Sequence, residues 1–243
     1  MTPGLKTITA GIGAAAIGAL VAVLAMGGLQ RGTPAPDPAA TGAIVRSYIL
    51  AHPDIIPEAL ERLKQTQTAS LIAANRAAIE TPFPGAVGGN PKGDVTLVEY
   101  FDYACVYCRS SLADVDKLVA GDAGVRVVYK ELPILSDYSG AAAKLSLAAA
   151  RAGRFADYHH ALYGTGALDP ERIAAAAAGV GVAPAAGEAP DIAREIEANL
   201  ATAHALRLSG TPTFVIGDQM LSGAVGLDAL KDAVAEARRA RKA

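Results

Sequence analysis

The two cysteines of this 243-residue chain lie two residues apart, in the order Cys105-Val106-Tyr107-Cys108. Two thiols at this spacing can close into a small, reversible disulfide when they lie at the start of a helix. The unpaired N–H groups of the first helical turn then stabilise a thiolate on the outer sulfur. Because the chain has no other cysteine for a structural bridge, the pair predicts thiol–disulfide redox chemistry.

Two other uses of the pair are less favoured. A zinc site needs four ligands, and the chain has no second cysteine pair. His159 and His160 are adjacent, and neighbours on a helix point about 100° apart, which is poor for joint ligation. A structural disulfide gains most from closing a long loop, whereas this loop is very short. We therefore expect a redox-active disulfide and no metal or other cofactor.

The residues around the pair predict a strand–helix–strand unit. Residues 95–101 are β-branched, aromatic and apolar, as in a strand buried on both faces. Apolar residues then recur at helical spacing from Leu112 to Val119, and residues 125–131 form a second strand pattern. The cysteines lie at the turn of this βαβ unit, which is typical of a thioredoxin-like redox site.

A second motif lies far downstream, where Pro212 directly precedes an apolar run at residues 213–217. Proline cannot donate to a sheet ladder, so it favours the first position of a strand or an edge. Residues 220–223 then predict the return strand of a hairpin, and residues 227–241 predict a closing amphipathic helix.

Together, residues 98–109 (VEYFDYACVYCR) and 210–217 (GTPTFVIG) resemble the DsbA-like branch of the thioredoxin superfamily, over roughly residues 87–241. The resemblance implies an α/β thioredoxin-like fold at residues 85–243, with a helical domain inserted at about 137–208. The sequence agrees independently, since residues 141–152, 155–163, 171–179 and 191–206 have helical patterns with little strand signal.

The resemblance also implies roles for individual residues. Cys105 is the nucleophile that forms a mixed disulfide with substrate, and Cys108 resolves it. Pro212 is expected to be a cis-proline beside the cysteines that, with Thr211, presents backbone groups to an extended substrate segment. Val106 and Tyr107, between the cysteines, are expected to contact substrate too.

Three further expectations concern neighbouring residues. Many relatives have Pro or Gly directly after the first cysteine, where this chain has Val106. Thr211 before the proline and Tyr107 before the second cysteine make these positions resemble those of disulfide isomerases more than those of the strongest oxidases. Glu99 is expected either to face the inner sulfur and shuttle its proton, as an acidic residue does in relatives, or to be an exposed strand residue.

Lys130 and Glu131, at the end of the second strand, are expected to form an exposed ion pair rather than to tune the thiolate. The four histidines are expected to be surface or partly buried residues without a role: His52, His159, His160 and His204.

The first eighty residues predict an attachment rather than a second catalytic domain. Residues 8–29 carry no charge over 22 positions, enough to span about 33 Å as a helix and to cross a hydrocarbon core of roughly 30 Å. We expect residues 1–30 to be an uncleaved transmembrane anchor, with a cleaved signal segment as the alternative. Residues 31–43 then predict a Pro/Ala-rich, extended linker.

Residues 44–80 predict a helical arm with an apolar stripe, interrupted at His52-Pro53 because the residue before proline resists helix. A short arm cannot bury this stripe alone, so it packs on the catalytic domain or on a second copy of the chain. Some relatives are oligomers through a similar segment, and those tend to be isomerases. We expect a homo-oligomer through residues 44–80.

The sequence thus predicts a thiol–disulfide oxidoreductase on the periplasmic side of the bacterial inner membrane, where disulfides persist. Its expected partners are client proteins with thiols or disulfides, a membrane redox partner and the lipid bilayer. Oxidase, isomerase and reductase stay open. The alternative is a non-catalytic, membrane-anchored binding module with a permanently bridged cysteine pair. A formal net charge of −2 argues against nucleic-acid binding.

Overall fold

The computed structural model describes residues 37–242. Within this range no helix combines the length and the apolar character needed to cross a membrane. The predicted anchor at residues 8–29 lies outside the described residues.

In the described residues, two helices precede the sheet. Helix α1 (Pro38–Ala51) begins inside the stretch predicted as an extended linker, because the Asp37 carboxylate accepts a hydrogen bond from the Ala39 amide and Pro38 suits a first helical turn. The helix ends before His52-Pro53, where the sequence predicts a break. Helix α2 (Ile55–Glu80) then runs for 26 residues.

The described residues contain a five-stranded mixed sheet in the order β1-β3-β2-β4-β5. Its strands are β1 (Val87–Gly89), β2 (Val95–Phe101), β3 (Val125–Glu131), β4 (Thr213–Ile216) and β5 (Gln219–Ser222). The central pair β2 and β3 is parallel, and helix α3 (Val106–Gly121) connects these strands. All other pairs are antiparallel. The predicted βαβ unit and C-terminal hairpin are confirmed, whereas the short strand β1 was not predicted.

Four helices lie between β3 and β4. They are α4 (Ser139–Arg151), α5 (Phe155–Gly164), α6 (Pro170–Gly179) and α7 (Pro190–Ala205), with a 3₁₀ turn at Pro184–Glu188 before the last. Each matches a predicted helix to within two residues. Helix α8 (Leu227–Ala240) closes the fold.

Both faces of the sheet are covered. One face carries Leu97, Phe101 and Phe214, which pack in the core formed with α3, α8 and the inserted helices α4–α6. The other carries Val98, Tyr100 and Val215, which pack with Ile72 and Ile79 of α2 and with the end of α7. Alternate residues of β2 therefore enter different cores, which explains why its whole sequence is apolar or aromatic apart from Thr96 and Glu99.

The expectation of an exposed ion pair between Lys130 and Glu131 is wrong. Both residues are buried, at 3% and 1% exposure, because successive strand residues point to opposite faces and both faces are covered. The Lys130 Nζ instead contacts the Glu195 carboxylate at 3.0 Å and the Thr81 carbonyl at 2.7 Å.

The expectation for the histidines is also wrong for His159, which is 2% exposed. Its ring lies among aromatic side chains, at 5.0 Å from Phe101 and 5.1 Å from Tyr129 and stacked on Phe155. Burial lowers the pKa of His159 to about 3, and the nearby His160 adds to that effect. His159 is therefore neutral at physiological pH.

Candidate active site

Both cysteines lie at the start of α3, at the edge where β2 ends. Cys105 is the residue that caps this helix, and its Sγ accepts a hydrogen bond from the Cys108 amide at 3.3 Å. The Cys105 amide in turn donates to the Asp102 carbonyl at 3.0 Å. Both residues are free thiols, with Cys105 at 4% and Cys108 at 1% exposure. An amide directed at the Cys105 sulfur stabilises negative charge there, as a nucleophilic thiolate requires.

The loop before β4 lies against the nucleophile. The Thr211–Pro212 peptide bond is cis, as predicted, and the Thr211 carbonyl accepts a hydrogen bond from the Cys105 Sγ at 3.2 Å. The Pro212 carbonyl is bonded to the Gly223 amide at 2.8 Å, which holds the loop to the hairpin. The structure therefore brings Cys105, Thr211 and Pro212 together from positions more than one hundred residues apart.

Glu99 lies in the middle of β2, on the face that carries the cysteines, and is 3% exposed. This burial excludes the exposed strand residue considered as an alternative. Burial raises the pKa of Glu99 to about 8, with a smaller contribution from the negative charge of Asp116. At neutral pH this carboxyl is mainly in its acid form.

Cys108 is the second group of the site that favours its protonated form. Burial raises the pKa of the Cys108 thiol, and the charge of a nearby ionised Glu99 raises it further. A hydrogen bond with the Asp102 backbone opposes both effects. The site therefore pairs a buried, protonated inner thiol with a buried carboxylic acid, while the outer sulfur is held by backbone groups.

The surface next to the cysteines is apolar. Val106 and Tyr107 project from the first turn of α3 at 61% and 62% exposure. The loop between β3 and α4 adds Ile134, Leu135 and Tyr138, which are 49%, 52% and 44% exposed. Large exposed apolar side chains of this kind favour interaction with another protein surface.

Asp102 is a site residue that the sequence analysis did not identify. Its carboxylate is buried and accepts hydrogen bonds from the Ala104 amide and from groups of the β3–α4 loop and α4. Only the first of these contacts has a local signal, since Asp commonly bonds the amide two residues ahead in a turn. The other donors come from residues more than thirty positions away.

A buried network of polar side chains was also not predicted from the sequence. The Tyr103 hydroxyl lies 2.9 Å from the Ser146 Oγ and 3.0 Å from the His159 Nδ1. Burial raises the pKa of Glu131 well above its usual range, and a hydrogen bond with Ser146 opposes that rise. These groups join the segment before Cys105 to the inserted helices.

The described residues contain no group of three or more His, Cys, Asp or Glu side chains placed to hold a metal ion.

Comparison with known proteins identifies two segments of the chain. The model of the DsbA-like thioredoxin domain matches residues 96–235, more than half of the chain. The model of the copper resistance protein ScsC N-terminal domain matches residues 38–69, which cover α1 and the first half of α2.

Solved structures agree with this assignment. A thioredoxin-like oxidoreductase from Silicibacter pomeroyi DSS-3 is 41% identical, with a TM-score of 0.65, and the match covers 70% of this chain and 99% of that one. The catalytic domain of Proteus mirabilis ScsC is 26% identical with a TM-score of 0.63, over 70% and 97% of the two chains. A periplasmic thioredoxin-like protein from Salmonella enterica serovar Typhimurium is 28% identical with a TM-score of 0.61, over 67% and 94%.

Among curated proteins, the chain matches a Na(+)/H(+) antiporter NhaA 3 of Salinispora tropica at 29% identity over 69% of its own length. The match covers 28% of the antiporter, so the chain spans about a quarter of the length of such relatives. The domain match and the solved structures carry the assignment. The chain belongs to the DsbA-like thioredoxin domain family, with Cys105 and Cys108 as the CxxC pair of that domain.

Proposed function

We propose that the protein exchanges disulfides with client proteins, with Cys105 as the attacking or attacked sulfur and Cys108 as the resolving one. The observation that carries this proposal is the position of Cys105 Sγ, between the Cys108 amide at 3.3 Å and the Thr211 carbonyl at 3.2 Å. The first stabilises a thiolate, and the second places the Thr211 backbone beside the sulfur that bonds the client.

Exchange with a client disulfide proceeds in two balanced steps. The Cys105 thiolate attacks one client sulfur, so that a Cys105–client S–S bond forms and the client S–S bond breaks, and the other client sulfur leaves as a thiolate. The Cys108 thiol then loses its proton and attacks Cys105 Sγ, which releases the second client sulfur as a thiolate. The client gains two electrons, its two thiolates take up the proton released by Cys108 and one proton from solvent, and the pair becomes a disulfide.

The same steps in reverse oxidise a client dithiol, and here Glu99 acts as the acid. When a client thiolate attacks Cys105 in the disulfide, Cys108 leaves as a buried thiolate. Burial raises the pKa of Glu99 to about 8, so its carboxyl carries a proton at neutral pH that it can give to this sulfur. In the other direction the Glu99 carboxylate, which is more populated at higher pH, takes the proton from Cys108.

The apolar surface around the cysteines fits clients that are not fully folded. Val106 and Tyr107 follow Cys105 directly and are exposed, and the Thr211 carbonyl contacts the Cys105 Sγ at 3.2 Å. An extended client segment with apolar residues beside its cysteine can contact the side chains of Val106 and Tyr107 while its backbone lies against the loop of Thr211.

We place this activity in the cell envelope. Disulfides form and persist outside the cytoplasm, and a solved relative from Salmonella is described as periplasmic. Residues 8–29 would anchor the chain in the inner membrane, and a membrane redox partner would reset the pair after each cycle.

We further propose that the N-terminal arm mediates self-association and that the protein acts as an isomerase. The arm carries exposed apolar residues along both of its helices: Ile44, Val45, Tyr48, Leu50, Ile56, Leu60 and Leu63. The match of residues 38–69 to the ScsC N-terminal domain supports a dedicated role for this segment. An oligomer would hold several cysteine pairs close together, so that more than one of them could react with the same client carrying incorrect disulfides.

A trapping experiment tests the proposed mechanism. Cys108→Ala leaves Cys105 able to attack but removes the group that resolves the mixed disulfide, so covalent complexes with envelope proteins should accumulate on non-reducing gels. Cys105→Ala is the matched control and should trap few or none. Equal trapping by the two variants would contradict the assigned roles.

A further inference from the structure

The carboxylate of Asp102 accepts four hydrogen bonds from donors in three parts of the chain. Its Oδ1 accepts from the Ala104 amide at 2.8 Å and from the Ser139 hydroxyl at 2.7 Å. Its Oδ2 accepts from the amides of Ile134 at 2.8 Å and Leu135 at 2.9 Å. An ionised carboxylate offers about four acceptor sites and no donor. The acceptor sites of this side chain therefore match the four donors around it.

The backbone of the same residue is bonded to the turn that carries Cys105. The Asp102 carbonyl accepts from the Cys105 amide at 3.0 Å and from the Tyr163 hydroxyl at 3.1 Å. Burial raises the pKa of the Cys108 thiol, and the largest opposing contribution is a hydrogen bond with the Asp102 backbone. One residue that is 1% exposed thus contacts the turn of Cys105, the loop of Ile134 and Leu135, and two inserted helices.

We infer that Asp102 is a positioning residue that fixes the distance between the two sulfurs and holds the apolar loop of Ile134 and Leu135 beside them. This inference rests on the proposed function, since it concerns the same cysteine pair. Asp102 does not touch the reacting client. It acts through the backbone of residues 104 and 105 and through the amides at 134 and 135.

Positioning by Asp102 affects the redox equilibrium of the cysteine pair. The tendency of two thiols to form a disulfide depends on their effective concentration, which the fold raises by holding them close in the required orientation. A turn that is less firmly held therefore shifts the pair toward the dithiol form. The loop of Ile134 and Leu135, which carries part of the exposed apolar surface, is also held less firmly, because its two amides donate to the same Asp102 carboxylate.

Asp102→Asn is the sharpest test because it keeps the size of the side chain. Its amide nitrogen would face either the two loop amides or the pair formed by Ala104 and Ser139, so at least one backbone amide would meet a donor. We expect the equilibrium constant for disulfide formation against glutathione to fall at least tenfold, which corresponds to about 30 mV. We also expect Cys105 in the reduced variant to react with iodoacetamide at an altered rate.

Asp122→Asn is the matched control. Asp122 also accepts a backbone hydrogen bond, from Gly124 at 2.9 Å, but it lies at the opposite end of α3 from the cysteines. This variant should lose stability and keep the wild-type glutathione equilibrium within twofold. If folded Asp102→Asn also stays within twofold of wild type, the inference is overturned.

Ser139→Ala keeps the test decisive if Asp102→Asn does not fold, since it removes one of the four donors and leaves the backbone intact. It should shift the equilibrium in the same direction by about two- to fivefold, and no shift would overturn the inference. The behaviour of the wild-type protein distinguishes a failure of the proposed function from a failure of the role assigned to Asp102. A wild-type pair that never exchanges with glutathione contradicts the proposed function, whereas an exchanging pair that is indifferent to both variants contradicts only the role of Asp102.

Discussion

At the scale of single residues, burial without a countercharge controls the chemistry of Glu99. The carboxyl lies in a strand covered on both faces, where ionisation is costly. Burial raises its pKa to about 8 from a usual value of 4.5. Between these two pH values the folded protein holds a proton that the unfolded chain has released, so the stability of the protein decreases as pH rises.

Glu99→Gln should remove this pH dependence. With the cysteines reduced in both proteins, the variant should gain stability relative to wild type from pH 4.5 to pH 8, by a total on the order of a few kcal/mol, and should gain no more above pH 8. Urea unfolding across this range measures the effect. Glu171→Gln, at an exposed helix start, controls for the loss of a carboxyl group. A constant difference between Glu99→Gln and wild type at all pH values would show that Glu99 ionises as an exposed carboxyl does.

The sequence predicts some of these residues and not others for a physical reason. Cys105, Cys108 and Pro212 have local signatures, in the spacing of the thiols and in a proline before an apolar strand. Asp102 and Glu131 do not, because their roles come from donors and coverage supplied by helices far along the chain. Lys130 and Glu131 were predicted to be exposed because the sequence did not show that helices cover both faces at the end of β3.

At the scale of elements, an ion pair joins the cysteine-bearing helix to the insertion. His160 on α5 is 3.0 Å from the Asp116 carboxylate on α3 through Nε2, and 2.8 Å from the Ala156 carbonyl through Nδ1. Both partners only accept hydrogen bonds, so the protonated imidazolium, which donates from both ring nitrogens, makes both contacts. Burial lowers the pKa of His160, but its contacts with Asp116 and Ala156 outweigh this and raise the pKa above 6.5.

His160→Gln should therefore cost stability only at low pH. A raised folded-state pKa contributes stability that is fully present below pH 6.5 and is lost as pH rises through the folded-state value. Because both side chains are about half exposed, the expected loss is about 0.5 kcal/mol at pH 5.5 and near zero at pH 9. Chemical unfolding of the variant in wild-type and Asp116→Asn backgrounds isolates the pair. A loss that persists when Asp116 is already removed would contradict it.

The elements themselves were largely predictable. The strands at residues 95–101 and 125–131 match their predicted bounds because each is rich in β-branched and aromatic residues and follows a glycine-containing turn. Strand β1 was missed because its three residues include two glycines, which carry no strand pattern. Helix α1 begins earlier than predicted because the capping carboxylate of Asp37 outweighs the extended tendency of the proline-rich stretch.

At the scale of the whole molecule, the N-terminal arm and the catalytic domain differ in how they bury apolar residues. The catalytic domain has cores on both faces of its sheet, whereas α1 has no buried residue. Exposed apolar side chains on one helix favour contact with another surface. A second copy of the same arm provides a surface of matching composition.

Substitution of Val45 and Tyr48 by Ser should weaken self-association by at least tenfold, because these residues are 51% and 56% exposed on α1. Sedimentation of residues 37–242 over a range of concentrations measures this. Ser substitutions at Ile134 and Leu135, exposed on the catalytic domain, serve as the control and should leave the assembly intact. A wild-type fragment that stays monomeric at high concentration would contradict association through the arm.

The central claim is that Cys105 and Cys108 form a reversible redox pair, and its equilibrium with glutathione tests that claim most directly. The full-length chain is incubated in buffers of defined reduced and oxidised glutathione, and the oxidised fraction is quantified by alkylation and mass spectrometry. We predict a potential between about −120 and −270 mV, within the range of catalytic pairs of this superfamily. A value below about −300 mV, typical of a structural disulfide, would contradict the account.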